Sequence, residues 1–207
     1  MAHARPKNSR DWVKRHLSDP YVKRAQAEGY RSRAVYKLLE IDSRERLLTT
    51  GSVVVDLGSA PGGWSQLAMQ KVGPRGKVIA IDLLPMEPIP GVTFIQADFS
   101  DEGGLSAVIS ALDNQPVDLV ISDMSPNLTG IALTDQARLF ELGELAVDFA
   151  AKFLKPDGFF LVKVFQGGDF EPFVKLLRSQ FLQVSTKKPD ASRDESREVY
   201  ILAKGLR

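Results

Sequence analysis

The residues most able to do chemistry begin with Asp56-Leu57-Gly58-Ser59-Ala60-Pro61-Gly62-Gly63-Trp64, which follows the β-branched run Val53-Val54-Val55. Such a run reads as a buried strand. The small residues after it let the backbone turn sharply and lie close to a ligand before a helix begins. The spacing is Asp-x-Gly-x-Ala-x-Gly, not the G-x-G-x-x-G of a dinucleotide site. A carboxylate at the end of the strand repels a phosphate and attracts a cation. This chemistry suits a ligand that carries an adenosine and a positive charge, and S-adenosylmethionine fits that description.

Three further acids, Asp82, Asp98 and Asp123, close the apolar runs 77–82, 92–98 and 117–123. In an open α/β sheet, ligands bind outside the carboxyl ends of the strands. An acid after the second strand suits hydrogen bonds to both ribose hydroxyls. One after the third suits a donor such as an adenine amino group. Any one of them alone could instead cap a helix. Lys163 stands inside Phe159-Phe160-Leu161-Val162-Lys163-Val164-Phe165, a run that should be buried on both faces. A charged lysine there costs several kcal/mol unless it is paired, and lysines kept in such places commonly do chemistry. The competing reading is a strand-end lysine that reaches out to water. Glu198 opens the last apolar run and is unremarkable by itself.

These residues need elements to hold them. The spacing predicts strands at about 52–57, 77–82, 92–98, 117–123, 158–165, 181–187 and 198–203. It predicts helices at about 33–47, 63–71, 103–113, 134–154 and 169–179. A short helix and turn around Ser18-Asp19-Pro20 fall within 10–29, and Met124 to Asn127 reads as a loop. The alternation implies a doubly wound, Rossmann-like α/β sheet, mostly parallel, with helices on both faces. The last two runs have no helix between them and so pair antiparallel at one edge. On helix 33–47 the stripe Val35, Leu38, Leu39 leaves Lys37 roughly opposite, as a solvent-facing lysine.

Composition narrows the classes. The chain has 207 residues, of which 43% are hydrophobic and 26% charged, enough for one domain with a sizeable core. It has no cysteine, and its two histidines, His3 and His16, both lie near the N-terminus. Thiolate and histidine metal sites are therefore not expected, and a reducing, cytoplasmic setting fits. No apolar run approaches the length of a membrane span. Net charge is +1, yet residues 1–37 hold ten Lys/Arg against three acids, so the remainder is net acidic. A basic, partly flexible arm over 1–30, before a single domain over 31–207, suggests contact with a phosphate backbone. Trp12, Tyr21, Tyr30 and Tyr36 among those charges offer faces for stacking on bases.

Taken together, Asp56 to Trp64, Asp82-Leu-Leu-Pro85, Asp123-Met-Ser-Pro-Asn127, Val162-Lys-Val-Phe-Gln-Gly167 and Ser196-Arg-Glu-Val-Tyr200 resemble the FtsJ/RrmJ family of ribosomal RNA 2′-O-methyltransferases. Ser18 to Val22 and Arg31 to Ala34 extend the resemblance to about residues 10–204. It implies a class I methyltransferase sheet, S-adenosylmethionine as cofactor, no metal, and 23S rRNA in the large ribosomal subunit as partner. The implied target is a uridine ribose in the A-loop. It also implies a catalytic tetrad at Lys37, Asp123, Lys163 and Glu198, and cofactor contacts at Gly62, Trp64, Asp82, Asp98 and Asp123. Lys37 is promoted by the resemblance alone. A base amino-methyltransferase, a cap 2′-O-methyltransferase, a non-enzymatic RNA-binding protein and a nicotinamide reductase are the alternatives. The first would place an aromatic after Asp123, the second needs more chain, the third would not need Lys163, and the last lacks its glycine fingerprint. No apolar helix is left over for an interface, so a monomer is expected.

Overall fold

A computed structural model describes residues 18–124, 132–193 and 196–207. The expected flexible opening of the arm, Trp12 and most of the loop 124–127 lie outside them. The elements in chain order are α1 (Pro20–Ala27), α2 (Val35–Glu45), β1 (Val53–Leu57), α3 (Gly63–Val72), β2 (Lys77–Asp82), β3 (Val92–Gln96), α4 (Glu102–Leu112), β4 (Val117–Ser122), α5 (Ala132–Phe153), β5 (Leu154–Phe165), α6 (Phe170–Gln180), β6 (Phe181–Lys187) and β7 (Glu198–Leu206).

The strands form one sheet in the order β3-β2-β1-β4-β5-β7-β6. The five strands from β3 to β5 are parallel. β7 runs antiparallel to both β5 and β6. The helix-free connection from β6 to β7 thus gives the antiparallel pairing its length predicts, with β7 slotted inside β6. The chain leaves β1 toward β2 on one side and comes back to β4 on the other. The carboxyl ends of β1 and β4 therefore flank the crevice where such sheets bind ligands.

The apolar runs explain why helices cover both faces. Val54 faces one cluster with Leu38 and Leu67, whereas Val55 faces the other with Val108 and Phe149. Neighbouring residues on a strand point to opposite faces, so a continuous Val/Ile run needs cover on each side. Each fully buried Val, Leu or Ile stabilises the fold by about 1.5–3 kcal/mol. α2 and α3 supply one cover, and α4, α5 and α6 the other.

Residues 18–30 pack on the body. Asp19 caps α1 by accepting from the Tyr21 N–H at 3.0 Å, and Val22 and Ala25 are buried. The tyrosines expected to meet bases mostly meet each other. The Tyr36 ring lies 5.5 Å from Tyr21 and 6.0 Å from Tyr30 and is 2% exposed. The Tyr36 hydroxyl donates to Glu28, and burial, with that carboxylate, pushes it up to about 12. Tyr36 therefore has no face to offer a base.

Candidate functional site

The first half of the site grows from the end of β1. Gly58 has φ +78°, and a Cβ there would lie 2.6 Å from the Met124 side chain. Only glycine fits this turn. The Gly58 and Ser59 N–H groups both donate to Ile81 O, so the turn is tied to β2. Gly62, at φ +104°, precedes α3. The turn walls an open recess of about 320 Å³, lined by Asp56, Gly58 to Pro61, Gly63 and Trp64, together with Ser32, Ala34 and Asp123.

Asp56 is fully buried. Its Oδ2 accepts from Ser65 Oγ at 2.6 Å, while Oδ1 has no partner among the described residues. Burial pushes its carboxyl up to about 7, and the nearby Asp123 and Asp82 charges add to this, against the Ser65 hydrogen bond. Asp82 Oδ2 accepts from the Ala60 N–H and Oδ1 from the Leu84 N–H, both at 2.8 Å. Asp98 Oδ1 accepts from Ser100 N–H and Oγ, at 2.8 and 2.6 Å. Trp64 is 3% exposed and donates its indole N–H to Ala34 O at 2.7 Å, so what it gives the recess is ring surface. Gly62 lies behind the recess, under Met86 and Ile89. Two carboxylates and no cationic side chain face the recess among the described residues. An orphaned buried carboxylate oxygen and this donor set fit a positively charged ligand such as S-adenosylmethionine, and would repel a pyrophosphate.

The second half is assembled across the sheet. Lys163 donates to Asp123 O at 2.7 Å and pairs with Asp123 Oδ1 at 3.0 Å, its side chain 7% exposed. Lys37 pairs with Glu198 Oε1 at 2.6 Å, the two side chains 14% and 12% exposed. The Tyr200 hydroxyl lies between the pairs, 3.1 Å from Asp123 Oδ1 and 3.3 Å from Glu198 Oε1. All four tetrad residues thus join one chain of polar contacts, Lys163–Asp123–Tyr200–Glu198–Lys37. The antiparallel ladder of β5 and β7 sets Lys163 across from Tyr200. Residues two apart on a strand share a face, which brings Glu198 along with Tyr200. Burial, above all, holds the Tyr200 hydroxyl well above its ordinary range, with Asp123 and Glu198 adding to it. It therefore stays a proton donor.

Two departures from the sequence reading stand out. Lys37 is not solvent-facing. The side of α2 opposite its apolar stripe is covered by the β7 end, where the Lys37 ammonium sits 5.8 Å above the Tyr200 ring. A polar residue beside a strand end that offers it a carboxylate is thus partly buried although it lies off the apolar stripe. Tyr200 is the second, for in the sequence only its i,i+2 spacing from Glu198 on a strand points to it.

Comparison with known proteins bears on the same residues. The sequence model of FtsJ-like methyltransferases matches residues 30–206. The chain is 54% identical to the Chromobacterium violaceum protein named ribosomal RNA large subunit methyltransferase E, over 99% of this chain and 100% of that one. It is 57% identical to the Azoarcus protein of the same name, over 98% and 99%. Among solved structures, a Plasmodium falciparum protein described as a ribosomal RNA methyltransferase superposes with a TM-score of 0.74 at 28% identity, covering 86% of this chain and 98% of that one. Aeropyrum pernix fibrillarin with bound S-adenosyl-L-methionine shares the fold at a TM-score of 0.56 and 17% identity, over 84% of this chain and 75% of that one. The family match spans every strand and every residue of the polar chain just described, and on that ground this protein belongs to the FtsJ-like methyltransferase family.

Proposed function

We propose that this protein transfers a methyl group from S-adenosylmethionine to the ribose 2′-hydroxyl of a uridine in the 23S rRNA A-loop, on the large ribosomal subunit. One observation carries the reading. The chain from Lys163 to Lys37 ends beside a recess faced by Asp56 and Asp123, so a proton-handling group adjoins a cation-binding pocket.

A ribose hydroxyl is a weak acid and a poor nucleophile. When bound, the cofactor supplies a methyl group on a sulfonium and leaves as a neutral thioether. The protein places the hydroxyl oxygen in line and manages its charge and proton, and placement alone contributes much of the rate. Lys163 donates to Asp123 O and pairs with Asp123 Oδ1, and in its charged form it carries three N–H groups. Its remaining N–H is then available to the ribose oxygen, where it stabilises the developing negative charge while the hydroxyl proton passes to solvent. If its own proton is first released to solvent, the amine accepts the hydroxyl proton instead. Asp123 steers Lys163 and faces the cofactor recess, while Glu198 and Lys37 hold the other end of the chain through Tyr200. Asp82 and Asp98 are the carboxylates for ribose hydroxyls and adenine, Trp64 gives the recess a ring wall, and Gly62 keeps the turn tight.

The basic arm over 1–30 is the side from which RNA arrives at the single domain over 31–207. The similarity to large-subunit methyltransferases supports that substrate. Among the described residues no helix is long and apolar enough to cross a membrane. We read the protein as a cytoplasmic monomer. The test is to incubate it with labelled S-adenosylmethionine and intact large subunits, then map the modified nucleotide by mass spectrometry. A 2′-O-methyluridine in the A-loop is expected. Label on a base, or no label, would overturn the assignment.

A further inference from the structure

Arg31 belongs by sequence to the basic stretch 1–37, just past the arm, among the cations expected to meet phosphate. The structure gives it other work. Its Nη1 donates to Glu87 O at 2.5 Å and lies 3.4 Å from Pro61 O, while Nη2 donates to Pro88 O at 2.8 Å. Pro61 belongs to the turn that walls the recess, and Glu87 and Pro88 to the loop after β2 that follows Asp82. The guanidinium thus bridges the turn that walls the recess and the loop after β2. Its stem lies on Gly62, where a Cβ would come within 3.2 Å of Arg31 Cδ. Its backbone is held as well. Gln66 of α3 accepts from the Arg31 N–H at 3.2 Å and donates to Gly29 O at 2.9 Å. The acceptors are all carbonyls, on two loops that no strand ladder joins. A planar fork of N–H groups can span them, whereas a point charge cannot.

We propose that Arg31 is a positioning residue of the cofactor site, clamping the Pro61 turn to the Glu87–Pro88 loop and so setting the affinity for S-adenosylmethionine, and is not a phosphate contact. This rests on the reading that the recess takes that cofactor. Three other cations among residues 18–37 are similarly committed. Arg33 pairs with Asp19 and donates to Ala191 O, Arg24 pairs with Glu28, and Lys37 pairs with Glu198.

The test compares wild type, Arg31→Ala and Arg31→Lys. Calorimetry reads S-adenosylmethionine binding to the free protein. Steady-state kinetics on large subunits read KM for each substrate and kcat. Charge-assisted hydrogen bonds of this kind are expected to make Arg31→Ala bind the cofactor about tenfold more weakly. Arg31→Lys should weaken it nearly as much. In both, kcat at saturating cofactor and KM for the subunit should stay at the wild-type values. An unchanged cofactor affinity with a raised KM for the subunit would overturn the proposal and return Arg31 to the RNA. Wild-type protein that binds no S-adenosylmethionine would refute the cofactor reading itself, which a silent Arg31 variant would not.

Discussion

The two halves of the site are built in opposite ways. The cofactor half is nearly one piece of chain, Asp56 to Trp64, folded by its own glycines and tied to β2. The catalytic half is gathered from α2, the end of β4, β5 and β7, with Lys37 and its partner Glu198 161 positions apart. A contiguous site can be read from local spacing, because the residues that make the turn are also those that line it. A gathered site depends on sheet order, and its members acquire meaning only once β7 lies beside β5.

Variants can break or sharpen this contrast. The largest effect should come from Lys163→Ala. Removing the group proposed to meet the reacting oxygen should cost about 10²–10³-fold or more in kcat, with cofactor affinity by calorimetry close to wild type. Substantial turnover in that variant would remove Lys163 from the chemistry. The next concerns Asp56 and stability. Its carboxyl sits at about 7 in the folded protein against an ordinary 3.8. The folded state therefore holds this proton more tightly than the unfolded chain. The resulting stability is fully present below about pH 4 and is lost as pH rises through about 7. Asp56→Asn should remove this slope. Denaturant unfolding without cofactor from pH 5 to 8 should show the variant gaining on wild type as pH rises, by an amount on the order of a few kcal/mol. A parallel pair of curves would mean that Asp56 ionises freely.

Smaller effects separate the halves further. Asp82→Ala should weaken S-adenosylmethionine binding about tenfold through lost charge-assisted hydrogen bonds, with kcat at saturation nearly unchanged. The smallest should be Tyr200→Phe. It removes one link from the polar chain but keeps the ring under Lys37, so kcat should fall only severalfold, as for one hydrogen bond of about 1 kcal/mol. Cofactor affinity should not move. If Tyr200→Phe instead weakened cofactor binding, the two halves would be coupled more tightly than their construction suggests.

The same contrast explains what the sequence revealed. The strands and the turn were legible because β-branched runs and glycines act locally. Lys163 was legible because a lysine inside an apolar run breaks a pattern. Lys37 was not, because the periodicity of α2 records one apolar face and is silent about what covers the other. Tyr200 reads as another core aromatic until Asp123 is known to lie 3.1 Å away. Tyr36 misleads for a related reason. Counting charges and rings shows what an arm contains, not which of them the fold has already engaged.

The position of β7 has a consequence for how the protein comes into being. It comes last in the chain of these seven strands, yet it fills a gap inside the sheet rather than extending its rim. Until it arrives, β5 and β6 each present an open row of backbone donors and acceptors, the kind of edge that invites wrong partners. Lys163 meanwhile lacks the tyrosine opposite it. The nascent chain can therefore complete the cofactor turn early, while the proton-handling chain waits for the final strand. Closing the sheet and completing the catalytic half are a single event.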